Sequence, residues 1–146
     1  MAKKYLSPTF EAGKHLFTKN IQGAIINLNL IRLKKEADYS EYPDLKPNEK
    51  SSGWDAYLTY IRETEPYLKE SGGEILFMGK GDQFLIGPES EYWDLCLLIK
   101  QKSVNDFFGF EKNEAYMKIV GHRMAAVEDS RLLPLEEIVL IHKGIK

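Results

Sequence analysis

The chain has 146 residues, the size of one domain and enough to bury a core without disulfides or a structural metal. Its hydrophobic fraction of 43%, charged fraction of 29% and net charge of −2 are ordinary for a globular protein. Lys and Arg are scattered rather than blocked, which argues against a nucleic-acid partner, and the lone Cys96 excludes an internal disulfide and fits a reducing compartment.

No apolar run approaches the roughly 20 residues needed to span a bilayer, so no membrane partner is expected. The opening MAKKYLSPTF has two lysines but no apolar stretch behind them, unlike a signal peptide. A cytoplasmic location is expected.

Residues 1–23 read as an N-terminal arm packing on the domain. Thr9 is placed to cap a short helix there. The domain itself is read as 24–135. It opens with a strand over Ala24–Leu33, apolar on both alternating faces apart from Asn27 and Asn29. Lys34 to Ser51 carries prolines, tyrosines and charges without a period, and its length fits a lid, a binding loop or a simply mobile connection.

Ser52 and Asp55 make a capping-box start to a helix, with Trp54, Tyr57, Leu58, Ile61 and Leu68 on one apolar stripe. Pro66 should kink this helix or begin its final turn, and Gly72-Gly73 should end it. A second strand follows over Glu74–Lys80, with Phe84-Leu85-Ile86 available to extend a hairpin. A third strand covers Tyr92–Lys100, again apolar on both faces except at Asp94.

Ser103 with Asp106 opens a short helix bearing Val104, Phe107 and Phe108. Asn113 caps the next, which carries Tyr116, Ile119, Val120, Met124 and Val127. Ser130–Leu135 is the fourth strand. The tail, 136–146, fits either a strand or a helix.

The order strand, helix, strand, strand, helix, strand is the ferredoxin-like βαββαβ arrangement, an α+β fold with a four-stranded antiparallel sheet. Helices cover one face of such a sheet, yet strands one and three are apolar on both. A second copy packed sheet to sheet is the economical cover, so a homodimeric α/β barrel is expected.

Several blocks carry a family resemblance. They are the run Ile25–Leu33, Ser52-Gly53 before the long helix, Gly72-Gly73-Glu74 entering the second strand, and Phe84-Leu85-Ile86-Gly87-Pro88. Trp93-Asp94 at the third strand and the terminal GHRMAAVEDSRLLP, Gly121–Pro134, complete the set. From about Ala12 to Pro134 the chain resembles the uncharacterised bacterial proteins of the dimeric α/β-barrel superfamily. The resemblance implies a homodimer of ferredoxin-like subunits. It implies no particular reaction, because superfamily relatives range from monooxygenases to plain binding domains.

Six residues are candidates for chemistry. His122 lies on a helix face with Ala115 and Ala126, and is read either as a general base near neutral pH or as a hydrogen-bonded structural histidine. Arg123 falls in the middle of an apolar stripe. It is either an anion or carbonyl clamp, or half of an ion pair with Asp94, Glu74 or Glu128. Asp94 is an acid or base, or an arginine's partner.

Asn27 and Asn29 share a strand face and either orient a substrate carbonyl or tie down backbone. Tyr42, with Tyr39, sits in the long loop and either closes over a pocket or is an incidental aromatic of a solvated loop. Cys96 reads as an inert buried thiol, and His15 and His142 show no ligand spacing. There is no metal motif, phosphate loop, nucleophile elbow or dinucleotide fingerprint, so neither metal nor cofactor is expected. The expected function is the handling of a small organic ligand in the barrel cleft. One form is a cofactor-independent enzyme, the other a non-catalytic binding or assembly domain.

Overall fold

Four strands of the computed structural model, β1 (Ile25–Leu33), β2 (Glu74–Lys80), β3 (Leu95–Gln101) and β4 (Val127–Leu135), form one antiparallel sheet in the order β2-β3-β1-β4. The structure describes residues 3–141 and 144–145. Helix α2 (Gly53–Glu70) joins β1 to β2. The helices α3 (Val104–Glu111), α4 (Glu114–Ile119) and α5 (Gly121–Ala126) join β3 to β4. This is the ferredoxin-like α+β fold. Helix α1 (Phe10–Thr18), capped by the Thr9 hydroxyl on the Ala12 amide, precedes it. The tail carries a small hairpin of β5 (Leu140–Ile141) and β6 (Gly144–Ile145), and His142 lies outside the described residues.

Strand alternation divides the sheet into two faces. Ile25, Asn27, Asn29 and Ile31 of β1 share one face with Leu95, Leu97, Ile99 and Gln101 of β3. That face meets the helices. Ile31, Leu95 and Leu97 join Ala56, Tyr57, Tyr60 and Leu68 of α2, with Tyr116, Ala125 and Val127, in the main core. The Tyr60 and Tyr116 hydroxyls lie 2.8 Å apart inside it, and burial pushes both phenols above their ordinary pKa. A second cluster of Leu16, Ile25, Val104 and Phe107 sits at the other end, under α1 and α3.

The capping box at Ser52 forms in both directions, and α2 runs through Pro66 to Glu70. Its buried face differs from the expected stripe. Gly53, Ala56, Tyr57, Tyr60, Thr64 and Leu68 point inward, while Leu58 is exposed. Close backbone approach turns the helix this way. The Gly53 amide donates to the Lys34 carbonyl, and a Cβ at Gly53 would lie 2.1 Å from that oxygen and 3.0 Å from the Ala126 carbonyl.

Three boundaries also move. Strand β3 begins at Leu95 rather than Tyr92, because Tyr92 and Trp93 turn aside to pair with Gln83 and Asp82. Phe84-Leu85-Ile86 adds no strand, and Leu85 and Ile86 are exposed. The helix expected from Asn113 divides at Val120 into α4 and α5. It ends at Ala126, so that Val127 opens β4. At the division, Gly121 admits Tyr42 and Leu45, whose side chains would lie 2.6–2.9 Å from any Cβ there.

The loop 34–51 is anchored. Ala37 and Asp38 amides donate to the Ser51 and Ala125 carbonyls, and Pro43–Leu45 forms a 3-10 turn.

Candidate functional site

Among the described residues no helix lies over the second face of the sheet. Ile26, Leu28 and Leu30 of β1 lie beside Cys96 and Leu98 of β3, and Phe77 of β2 and Leu133 and Leu135 of β4 extend the row. All are half-buried or exposed in the single chain. An apolar surface of this continuity is unusual on an isolated domain and marks a contact or binding surface.

Charge gathers at one end of this face, around Trp93. The Arg32 guanidinium lies 5.1 Å from the Trp93 ring and 4.3 Å from the Tyr92 ring, and donates to the Tyr92 carbonyl at 2.9 Å through Nη2. Arg131 approaches Trp93 at 4.9 Å and Tyr5 at 4.8 Å, with Nη1 donating to Asp129 Oδ1 at 2.8 Å. Flat guanidinium groups suit such aromatic faces. Trp93 is buried, and its indole N–H finds no acceptor among the described residues.

A cavity of about 130 Å³ adjoins this corner, lined by the apolar Leu30, Phe84, Trp93, Leu95 and Cys96 together with Gly81, Asp82 and Gln83. Burial raises the Cys96 thiol above its ordinary pKa, which makes it a poor nucleophile.

Asp129 anchors the N-terminal arm here. Burial works to raise its carboxyl. Hydrogen bonds from the Tyr5 amide, Arg131 and the Ser130 amide, together with the Arg131 charge, outweigh burial and hold it below the ordinary carboxylate value.

The six residues singled out in the sequence fall in three places. His122 and Arg123 lie on α5, on the helix side of the sheet, and Tyr42 packs nearby against Gly121. His122 is buried, with Nδ1 2.8 Å from the Tyr39 hydroxyl and Nε2 3.2 Å from Glu63 Oε2. Burial lowers its pKa below the ordinary value, against an upward pull from Glu63.

Arg123 donates to the Leu6 carbonyl at 2.8 Å and to Ser130 Oγ at 3.4 Å. Among the described residues no carboxylate lies within ion-pair distance of it, so the pairing expected with Asp94, Glu74 or Glu128 is absent. Glu128 instead pairs with Lys4.

Asp94, just before β3, accepts the Leu33 amide at 2.7 Å and so ties β1 to the Trp93 corner. Asn27 and Asn29 are on the helix-covered face, away from the open one. Asn29 donates to the Asn27 carbonyl at 3.2 Å, while Asn27 Oδ1 is buried without a partner among the described residues.

Sequence reasoning assigned no role to Arg32, Trp93, Arg131 or Glu63. Arg32 and Arg131 carried a usable signal. Arg32 ends the even-numbered apolar face of β1, and Arg131 stands two residues beyond Asp129 on β4, so both fall on the face opposite the helices. Among the described residues no cluster of His, Cys, Asp and Glu is arranged to hold a metal ion, and no helix is long and apolar enough to cross a membrane.

Two solved structures of the RPA0582 protein superpose closely, each with 35% identity and a TM-score of 0.79. The chain belongs to the RPA0582 family. One structure is of the methylated protein, matched over 93% of this chain and 96% of that one. The other, from Rhodopseudomonas palustris and described as a protein of unknown function, is matched over 94% and 99%. A dimeric protein of unknown function and ferredoxin-like fold from Bacteroides fragilis is far more distant. It shows 12% identity and a TM-score of 0.42 over 78% of this chain and 96% of that one. No family model and no curated protein matches the chain.

Proposed function

We propose that the protein is a homodimeric small-molecule-binding domain whose two sheets face each other across their open sides. One observation carries this reading: the uncovered face centred on Leu28, Leu98 and Leu133 is apolar along its length and ends in two arginines stacked on Trp93. A second copy is the occupant that fits. A two-fold axis would set this apolar face against itself and cover both copies at once.

The ligand would sit at the Trp93 end, with its apolar part in the 130 Å³ cavity and an acidic group toward Arg32 and Arg131. Small-molecule sites commonly combine apolar walls with a few polar groups in this way. The guanidinium fork suits a carboxylate. A small organic acid is therefore the proposed ligand class.

Binding fits the geometry better than turnover. His122 has both ring nitrogens engaged, by Tyr39 and Glu63, and lines neither cavity. Asp94 is occupied by the Leu33 amide. Light scattering at micromolar concentration should report twice the chain mass. Thermal-shift screening should find stabilisation by aromatic or short aliphatic carboxylates that is lost in Arg131→Gln. A stable monomer, or carboxylate stabilisation that survives Arg131→Gln, would overturn the reading.

A further inference from the structure

Three rings and three cations alternate across the Trp93 corner. Lys3 Nζ lies 5.2 Å from the centre of the Tyr5 ring, and the Arg131 guanidinium lies 4.8 Å from the same ring and 4.9 Å from Trp93. Arg32 continues the series, between Trp93 at 5.1 Å and Tyr92 at 4.3 Å. Arg32 and Arg131 belong to the sheet, and Tyr92 and Trp93 to the loop that leads into β3. Lys3 and Tyr5 come from the N-terminal arm, far away in sequence.

The arm is held there by a short run of polar contacts. The Tyr5 amide donates to Asp129 Oδ1 at 2.8 Å, and the Tyr5 carbonyl accepts from the Ser130 amide at 3.0 Å and from the Ser130 hydroxyl. On either side, the Leu6 carbonyl accepts from Arg123 at 2.8 Å and Lys4 pairs with Glu128. Apolar anchoring is slight, for Leu6 is half-buried while Lys3, Lys4, Tyr5 and residues 7–10 are exposed. A segment with few buried apolar contacts opens at a free energy well below that of global unfolding.

Asp129 joins this arm to Arg131. Its buried Oδ1 accepts from the Tyr5 amide and from Arg131 Nη1, both at 2.8 Å. Arg131 Nη1 also donates to the Ser130 carbonyl at 2.8 Å. Among the described residues no other nitrogen of this guanidinium has a partner, so Nε and Nη2 remain for a ligand. The Trp93 and Tyr5 rings restrict where those two donors point. Without Tyr5, part of the ordering of a long side chain would fall on the binding step.

We infer that Tyr5 is a positioning residue for the anion site, with the docked N-terminal arm fixing the Arg131 guanidinium for a carboxylate and a bound carboxylate holding the arm down. This rests on the Trp93 corner being the ligand site proposed above. The coupling is reciprocal, because an arm that raises the affinity for a ligand is itself tightened by that ligand to the same degree.

The test measures benzoate binding to the full chain by calorimetry, below the melting temperature of every variant. Tyr5→Phe keeps the ring and the backbone contacts and should bind as the wild type does. Tyr5→Leu keeps the backbone contacts and apolar bulk without the ring. It should bind about two- to fivefold more weakly, the worth of one exposed cation–π contact. Arg131→Gln should abolish binding. Amide exchange gives the reciprocal readout. Saturating benzoate should slow exchange of the Ser130 amide, which donates to the Tyr5 carbonyl, in the wild type and in Tyr5→Phe but not in Tyr5→Leu.

If Tyr5 only fastens the arm, Tyr5→Leu will lower the melting temperature and leave benzoate affinity unchanged, and that result overturns the inference. Equal weakening by Tyr5→Phe would assign the effect to the hydroxyl and overturn it too, as would a Ser130 amide indifferent to benzoate. The two levels fail differently. Benzoate that does not bind the wild type, or binds Arg131→Gln equally well, removes the ligand site and the role of Tyr5 with it. Benzoate that binds the wild type, fails with Arg131→Gln and ignores Tyr5→Leu removes the role of Tyr5 alone.

Discussion

The Tyr39 hydroxyl and His122 Nδ1 are 2.8 Å apart, both buried, with their rings edge to face at 81°. Glu63 Oε2 lies 3.2 Å from the other imidazole nitrogen, a charge contact on the far side of the ring. This links the long loop, α5 and α2 through one neutral imidazole.

The pH dependence follows from that neutrality. Burial depresses the His122 pKa below its ordinary value near 6.5, and Glu63 restores only part of it. The unfolded chain therefore binds a proton more readily than the folded one. The stabilising contribution is complete above pH about 6.5 and is lost as pH falls through the depressed folded value. The melting temperature of the wild type should fall more steeply between pH 7 and 5 than that of His122→Gln. Parallel curves would show that His122 is not buried neutral.

Arg123→Leu should destabilise the protein by about 2 kcal/mol, because the Leu6 carbonyl and Ser130 Oγ lose a charged donor. A larger cost, as for a broken buried ion pair, is not expected without a carboxylate partner. Urea unfolding measures the change. Amide exchange should quicken around Tyr5 and Leu6 as the arm loosens. A loss above 4 kcal/mol would point to an ion pair after all.

Gly53→Ala should cost about 3 kcal/mol by overpacking, since the new methyl would meet the backbone of Lys34 and Ala126 rather than a movable side chain. Gly13→Ala, in α1 with nothing within 4 Å of the added carbon, should be neutral or stabilising by up to about 1 kcal/mol. Equal effects in denaturant titrations would contradict the close approach of α2 to β1.

Local signals in the sequence carried the fold well. The Ser52–Asp55 capping box, the Thr9 and Asn113 caps and the apolar runs of β1 and β3 all appear where the residue types require them. Tertiary choices were less legible. Leu58 fits the helical stripe by spacing, but Gly53 sets the helix rotation through a backbone contact that no periodicity encodes. Asn27 and Asn29 were seen to share a face, yet which face the helices cover depends on the crossover, not on the strand. The partners of His122 are distant in sequence: Tyr39 stands 83 residues before it, and Glu63 lies on the outer side of α2.

Leu28 should control assembly. It lies on the open face directly between Leu98 of β3 and Leu133 of β4, and it is half-buried in the single chain. In an isolated subunit, Leu28→Asp leaves the carboxylate in contact with water at modest cost. In a sheet-to-sheet dimer the same change buries two like charges near the centre of the interface, without partners, which is strongly unfavourable. The variant should therefore remain folded by circular dichroism and elute as a monomer at concentrations where the wild type is dimeric. Leu85→Asp, at a fully exposed position in the loop before β3, should leave the mass unchanged. If Leu28→Asp assembles as tightly as the wild type, the two copies do not meet through this face, and the cleft proposed between them at Trp93 is lost with it.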